Sequence, residues 1–505
     1  MIINQPYSIH KFGGSSLANA KKFKDISSLV HGEKQIIVVS AVQGVTSALQ
    51  ALLDSARSSL SYLQELEKLA EKHLSLIREL AIDSDGNALS KLIQKDIFRI
   101  KDILYAIYLT GSYSKELQNY LLGYGELWSG KILKKYLENF NKVAFLDAAE
   151  VLYIYEKEGL ICIDWQKSKS ALQLYLQTSD FKQLVITGFI ASTIDGKRTI
   201  LGRNGSDFSA AIFANLFEAK ELTIWTDVDG IYTADPALVH SAFVIESLSY
   251  QEALELAYFG AKVLHPMTIA PLLEQKIPLY IKNSFNPRAR GTFISASSEQ
   301  SPQLIKGLSS IENVALINID GSGLISVSGI ASRVADILYR AEINVLLISQ
   351  ASSEHSICLA IPAALLVKAM RVLHEHLQAD LERKHIAGII AEENCAILSV
   401  IGEQMIGSIG IAAKLFRALA KANINILAIS QGSSERNISV VIKNANAKKA
   451  IQAVHDGFYL STKSLAIGLI GPGIVGKSLM QQFKKTINQL SEKYQVNLQV
   501  LGIMN

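Results

Sequence analysis

The chain has 505 residues, 49% of them apolar and 19% charged, with only 9 Pro, which describes an ordinary soluble α/β protein of about three or four domains and excludes a disordered one. A formal net charge of +4 is too nearly balanced for a nucleic-acid footprint, so no nucleic-acid partner is expected. No apolar run reaches the roughly 18 residues a membrane helix needs, and three scattered cysteines (Cys162, Cys358, Cys395) with a start lacking signal-peptide character make the cytoplasm the expected compartment.

The first predicted element is a short β run that delivers Lys11, Phe12, Gly13 and Gly14 of "SIHKFGGSSL" to the start of a helix. Glycines allow close backbone approach, amides at a helix start favour an anion, and the lysine adds a point charge. "KQIIVVSAVQGVTSAL" is a buried strand that brings Ser40, Gly44 and Thr46 into a second turn-to-helix junction. A helical region over about 46–140 follows. Within it, "GYGELWSGKIL" sets Gly125 and Glu126 among apolar neighbours. A carboxylate in such company is either a paired structural ion or the receiver of a substrate ammonium.

A hairpin turn at Asp195–Gly196 leads into "LGRNGSDFSA", with Arg203, Asn204, Gly205, Ser206 and Asp207 at the start of a helix. Arginine suits bidentate carboxylate recognition, while Ser206 and Asp207 can equally be helix caps. "ELTIWTDVDGIYTADP" then runs from a buried strand into an acidic loop carrying Asp227, Asp229 and Asp235. "FGAKVLHP" places Lys262 and His265 at a helix end, just before Pro266.

An internal repeat organises the chain beyond residue 300. "GIASRVADILYRAEINVLLISQASSEHSICLAI" (329–361) superposes without a gap on "GIAAKLFRALAKANINILAISQGSSERNISVVI" (410–442) at a spacing of 81 residues (410 − 329). Each copy reads as an amphipathic helix, an "IN" turn, a β run ending in "ISQ", a polar "SSE" turn and a second β run. With "VALINID" or "AILSVIG" before and a helix after, the order is βαββα with room for a last strand. The polar Q-x-S-S-E at a strand end, present in both copies, points to small-molecule binding rather than to core.

The last stretch, "IGLIGPGIVGKSL" (467–479), carries two overlapping motifs. Gly471, Gly473 and Gly476 spell a dinucleotide-binding G-x-G-x-x-G, while Gly471, Gly476, Lys477 and Ser478 spell a P-loop. A P-loop needs a further strand ending in a metal-holding aspartate, and only 27 residues follow Ser478 (505 − 478). The dinucleotide reading needs a second strand after the helix, which "NLQVLGIMN" supplies.

The repeats resemble ACT domains, small ligand-sensing modules that work in pairs. "KFGGSS", "VVSAVQGVTSAL", "GE" followed by "S", "GFIAS…TILGRNGSDFSA", "TDVDGIYTADP", "YQEALELAYFGAKVLHP" and the ACT pair occur in this order in aspartokinases. With a dinucleotide motif after the pair, the chain is most similar to the first part of bifunctional aspartokinase/homoserine dehydrogenases, cut early in the dehydrogenase. The resemblance implies an α/β amino-acid-kinase fold over residues 1–297, an open, mainly parallel sheet with helices on both faces. ACT (βαββαβ) domains over 298–390 and 391–464 follow, then the start of a Rossmann unit over 465–505.

The implied reaction is phosphorylation of the L-aspartate side chain by ATP, with Mg²⁺ carried on the nucleotide rather than by a side-chain metal site. Lys11, with the amides of Gly13 and Gly14, is implied to hold phosphates, with Ser40 near the phosphoryl group and Asp207 orienting Lys11 or the substrate ammonium. Arg203 is implied to clamp the aspartate α-carboxylate and Glu126 to take its ammonium, with Thr46, Asn204, Gly205 and Ser206 completing the acceptor side. Phe12, Thr226, Asp227, Tyr232, Asp235, Lys262 and Val263 match the nucleotide side. Ala237 stands where some relatives have an arginine, one cation fewer near the nucleotide. Asn344 and Gln350 in one ACT copy, and Asn425 and Gln431 in the other, are expected to read an amino-acid inhibitor, which family membership makes threonine. A homo-oligomer, dimer or tetramer, through the ACT domains is expected, and NADP(H) only for the dehydrogenase part. The rival expectation is a non-catalytic amino-acid-sensing ACT scaffold with a degenerate kinase half.

Overall fold

The computed structural model describes residues 7–82, 86–260, 263–296, 304–320, 329–350, 356–458, 463–471, 473–494 and 496–504. The chain divides into two units.

The first unit comprises Met1–Ile231, Glu246–Tyr250 and Val263–Glu299. Its strands are β1 (Ser8–Phe12), β2 (Gln35–Val39), β3 (Val143–Leu146), β4 (Tyr153–Lys157), β5 (Leu160–Ile163), β6 (Gln183–Thr187), β7 (Ile190–Thr193), β8 (Arg198–Ile200), β9 (Glu221–Thr226), β10 (Ser247–Ser249), β11 (Leu279–Asn283) and β12 (Thr292–Ser295). Eight of them form one sheet in the order β10-β12-β11-β9-β1-β2-β6-β3. Every neighbouring pair is parallel except β11–β12. The apolar runs explain the choice: Ile36 to Val39 are all fully buried, as befits strands covered on both faces. A smaller sheet, β5-β4-β7-β8, stands apart, and its β7–β8 hairpin turns at Gly196 with φ +80°.

The helical stretch resolves into α1 (Ala20–Leu29), α2 (Val45–Arg57), α3 (Leu63–Glu79), α4 (Gly86–Thr110), α5 (Lys115–Leu122) and α6 (Tyr124–Leu137). Then come α7 (Trp165–Thr178), α8 (Gly205–Leu216), α9 (Tyr250–Tyr258) and α10 (Pro266–Gln275). His265 caps the start of α10, its Nδ1 accepting from the Met267 amide at 3.3 Å, so it opens one helix rather than ending another. α6 is buried almost all round: Gly125, Glu126, Trp128, Ser129 and Gly130 are all inaccessible. Trp128, Phe12 and Phe23 anchor the core between these helices and the sheet.

The second unit comprises Tyr232–Ile245, Gln251–Lys262 and Gln300–Asn505. Two stretches expected inside the catalytic domain, 232–245 and 251–262, therefore pack with the repeats. Ala234 and Val239 share a core cluster with Leu415, Val440 and Val454, and the Thr233 hydroxyl meets the buried His455 Nε2 at 3.0 Å.

The repeats supply β13 (Gly307–Asp320), α11 (Ile330–Arg340), β14 (Leu347–Gln350), β15 (Ser356–Pro362) and α12 (Leu366–Glu382). The second set is β16 (Gly388–Ile401), α13 (Ile411–Lys421), β17 (Ala428–Gln431), β18 (Asn437–Lys443) and α14 (Ala447–Gly457). One sheet runs β14-β15-β13-β16-β18-β17. The two long strands, β13 and β16, pair antiparallel from end to end, with register shifts between Ile311 and Val314 and between Val314 and Leu316. Asn313 and Asn394, equivalent in the repeat, both take left-handed φ (57° and 58°) at the break between halves.

The break changes which strand belongs to which copy. The first half of β16 (Gly388 to Glu392) pairs with the second half of β13 and completes the first copy. The first half of β13 (Gly307 to Ile311) pairs with the second half of β16 and completes the second copy. The last strand of the second copy thus comes from upstream of the first, not from beyond α14. One antiparallel pairing satisfies both sheet edges at once, so each copy is closed by the other's leading strand.

The chain then forms β19 (Lys463–Ile470), α15 (Ile474–Tyr494) and β20 (Val496–Met504), with β19 and β20 parallel. Among the described residues no helix is long and apolar enough to cross a membrane.

Candidate active site

The first unit holds a cavity of about 520 Å³, lined by Lys11, Ser40, Thr46, Glu126, Arg203 and Asp207 together with their loops. It opens where β1 and β2 end, the usual ligand-binding edge of a parallel sheet. Two sharp entries shape its walls. Gly44 (φ +80°) starts α2 and Asn204 (φ +56°) starts α8, so two helix N-termini meet the cavity and favour an anionic ligand. Gly14 lets the chain pass close to the next loop, since a Cβ there would crowd the Ala41 carbonyl oxygen at 3.2 Å.

Lys11, at the end of β1 and only 8% exposed, forms a 2.5 Å ion pair with Asp207 in the first turn of α8. Glu126 lines the same cavity from α6 at 3% exposure. Its Oε1 accepts from the Ala41 amide at 3.1 Å, while Oε2 is buried with no hydrogen-bond partner among the described residues. Burial pushes the Glu126 carboxyl up to about 8, against the pull of the Ala41 amide and of Lys11. An unmatched buried carboxylate oxygen facing a cavity is a receptor for a cation. Arg203 also lines the cavity and is exposed, and no hydrogen bond or ion pair holds its guanidinium among the described residues.

The Ser40–Ala41 loop is fixed from several sides. The Ser40 amide donates to the Phe12 carbonyl at 3.1 Å, and the Ser129 hydroxyl donates to the Ser40 carbonyl at 2.7 Å. Gly125 permits the close approach of α6, since a Cβ there would meet the Ala41 Cβ at 2.6 Å. Lys72 on α3 donates to the Gln43 carbonyl at 2.5 Å.

The cavity gathers Ser40, Thr46, Glu126 and the whole 203–207 run with Lys11 and Gly14, two of the residues expected to hold the nucleotide phosphates; Gly13 does not line it. Phe189 and Gly202 also line it; neither carried a sequence signal beyond lying within the "GFIAS…TILGRNGSDFSA" stretch. Phe12, Thr226, Asp227, Tyr232, Asp235 and Val263 do not line this cavity. Phe12 is fully buried and stacked on Trp225 at 5.9 Å, so only its backbone can serve a ligand. Thr226 ends β9 and its hydroxyl donates to Asp227, the next residue, at 3.2 Å, and Val263 is half-buried. Asp229 accepts from Asn283 at 2.8 Å and from Asn286 at 3.2 Å. Tyr232 and Asp235 fall in the second unit, and Lys262 lies outside the described residues. Among the described residues no group of three or more His, Cys, Asp or Glu could hold a metal.

A second cavity, about 310 Å³, lies in the second unit between the start of α13 and the end of β17. Gln431 and Glu435 line it opposite Gly410 to Ala413, and Glu435 accepts from the Gly407 amide at 2.6 Å. Glu435 is the acid of the Q-x-S-S-E motif, so that motif carried its signal. Asn344, Gln350 and Asn425 are exposed and do not line this cavity. At the chain's end Gly471 takes φ +79°, and a Cβ on Gly476 would approach its carbonyl oxygen to 3.0 Å.

Comparison with known proteins adds independent findings. The Amino acid kinase family matches residues 7–283, and the ACT domain matches 317–377 and 398–458. The chain is 39% identical over 508 residues to the chloroplastic bifunctional aspartokinase/homoserine dehydrogenase 2 of Arabidopsis thaliana, covering 98% of this chain and 56% of that protein. It spans little more than half the length of that relative. It is 31% identical over 468 residues to the chloroplastic aspartokinase 1 of the same plant, covering 90% of this chain and 80% of that one. Among solved structures it resembles E. coli aspartokinase III in complex with aspartate and ADP (R-state), at 28% identity and a TM-score of 0.76, covering 89% and 99% of the two chains.

Proposed function

We propose that this chain, which belongs to the aspartokinase family, transfers the terminal phosphoryl group of ATP to the side-chain carboxylate of L-aspartate, giving 4-phospho-L-aspartate and ADP. The observation that carries this reading is the gathering, around one cavity, of the unmatched Glu126 Oε2, the exposed Arg203 and the Lys11–Asp207 pair. An amino acid with a second carboxylate meets all three: ammonium at Glu126, α-carboxylate at Arg203, side-chain carboxylate near Lys11. That side-chain carboxylate is already ionised at neutral pH and needs no general base. Phosphoryl transfer then asks for alignment and for positive charge on the transferring oxygens. Lys11 supplies the charge, Asp207 holds its ammonium in place, and the amides of Gly13 and Gly14 with the α2 and α8 starts add fixed dipoles. Mg²⁺ would ride on the nucleotide phosphates, neutralising them in the usual way for such transfers. The test is ADP release with L-aspartate against L-glutamate; equal rates, or none with aspartate, would overturn the reading.

Arg203→Lys should not behave as a conservative change, because the two-pronged contact to a carboxylate is lost. Steady-state kinetics should show an aspartate KM raised on the order of tenfold with ATP KM nearly unchanged. Parallel rises in both would remove Arg203 from the α-carboxylate.

The reading extends to control and to the longer protein. Threonine is proposed to bind the second cavity, its carboxylate at the α13 amides, its ammonium at Glu435 and its hydroxyl at Gln431. Asn344 and Gln350 are proposed to serve threonine in the first copy, and Asn425 to act from outside the second cavity. Gln431→Ala should then raise the half-inhibiting threonine concentration roughly fivefold or more, within usual coupling energies, and leave uninhibited kcat unchanged. Inhibition by lysine but not threonine would refute the assignment. The β19–α15–β20 unit with Gly471, Gly473 and Gly476 is proposed as the opening of an NADP(H)-binding homoserine dehydrogenase domain, in a homo-oligomeric cytoplasmic enzyme.

A further inference from the structure

The Ser40 carbonyl and the Ala41 amide are opposite edges of one planar peptide unit, and both are held by α6. Ser129 Oγ donates to the carbonyl edge at 2.7 Å, and Glu126 Oε1 accepts from the amide edge at 3.1 Å. The two side chains stand three residues apart, neighbours on one helical face, so the peptide lies along a single turn. We infer that Ser129 is a positioning residue for the acceptor site: it fixes the Ser40–Ala41 peptide, and through that peptide it fixes the carboxylate of Glu126.

The inference rests on the aspartate reading of the cavity and deepens it. Ser129 does not line the cavity, is 0% exposed, and among the described residues its one other acceptor is the Glu126 carbonyl at 3.2 Å within its own helix. A serine in a helix interior usually spends its hydroxyl that way. Here the shorter bond leaves the helix for a loop 89 positions away. Glu126 has two oxygens and one is committed to the Ala41 amide, so the direction of the second depends on where that amide stands. Without Ser129 the peptide keeps only one of its two side-chain anchors and can rotate about its flanking bonds. That rotation carries Oε1 with it and turns Oε2 away from the substrate ammonium, while Ser40, on the same peptide, shifts beside the phosphoryl path. The tight seat at Gly125 keeps α6 close enough for both bonds.

The test pairs a kinetic readout with a structural one. Ser129→Ala should raise the aspartate KM on the order of tenfold, since small misplacements of binding groups are costly, while the ATP KM stays near wild type. Amide hydrogen exchange of the 40–44 segment should quicken in the same variant, with the β1 and β2 amides unchanged. Ser129→Thr, which keeps the donor, should fall nearer to wild type than Ser129→Ala does in both readouts. Unchanged exchange at 40–44, an unchanged aspartate KM, or equal rises for aspartate and ATP would each overturn the inference. Absence of aspartate-dependent ADP release from the wild type would count against the aspartate reading instead, and the exchange arm would still decide the clamp.

Discussion

Lys11→Ala is expected to lower kcat on the order of 10³-fold at saturating ATP and aspartate. The lysine is the one side-chain cation in the cavity that is both buried and locked, by its 2.5 Å pair with Asp207. A fixed charge in a site sheltered from water stabilises developing phosphoryl charge far more than a mobile one. Its removal also strands Asp207 as an uncompensated acid, a second and purely structural cost of about 3–5 kcal/mol for a well-buried pair and less here, because Asp207 retains 18% side-chain exposure. The two effects separate in the double variant Lys11→Ala/Asp207→Asn, which removes the stranded charge. Thermal melting should recover toward wild type while turnover does not. Recovery of turnover in the double variant, or a single variant that keeps most of its kcat, would show that Lys11 acts on the fold and not on the phosphoryl group.

Glu126→Gln should raise the aspartate KM on the order of 10²-fold, the scale for removing one member of a desolvated charge pair. The amide keeps the side-chain shape and one carbonyl for the Ala41 amide, so folding should survive. The pH profile gives the sharper reading. With its carboxyl pushed up to about 8 by burial, Glu126 is mostly protonated in the empty site at pH 6 to 7. Binding the ammonium requires the ionised form, so aspartate binding releases a proton. Affinity should therefore rise with pH, approaching tenfold per unit well below pH 8 and flattening above it. Glu126→Gln should erase that slope. A slope that persists in the variant, or a wild-type affinity flat from pH 6 to 8, would show that another group receives the ammonium.

Much of the acceptor site was readable from residue patterns, for identifiable reasons. It announced itself because strand ends and helix starts there carry glycine, serine, lysine and arginine in short unbroken runs. The cavity duly collects 40–44, 46–47 and 202–207. Glu126 was visible as an acid in an apolar helix, though only the geometry separates its committed oxygen from its unmatched one. Ser129 was not legible as a positioning residue: a small hydroxyl in a helix gives no sign of whether it bonds within its helix or outside it. Phe189, left-handed at φ 65°, was equally silent, because nothing in a phenylalanine's neighbours demands such a backbone. The repeats gave the order of elements correctly, yet strand ownership depends on long-range pairing that no local pattern encodes. The passage of 232–245 and 251–262 into the second unit likewise rests on apolar contacts, such as Ala234 and Val239, whose partners lie far along the chain.

The shared leading strands set a timetable for synthesis on the ribosome. The first ACT copy has all its strands once residue 394 or so has emerged, and it can close on itself. The early half of β13 pairs only when Ile397 to Ile401 arrive, which takes 94 residues of further synthesis counted from Gly307 (401 − 307). At roughly 5–20 residues per second that is a wait of about 5–20 seconds. Throughout it the strand's amides and carbonyls lack their ladder partner, and once Glu392 has completed the first copy they stand next to a finished sheet, the circumstance in which nascent chains join edge to edge. Its sequence, "GLSSIE", spaces two leucine-class side chains with two serines and closes on a glutamate. That is a polar and short offer to a neighbouring chain, and it suits a strand that must stay soluble until its own partner is made.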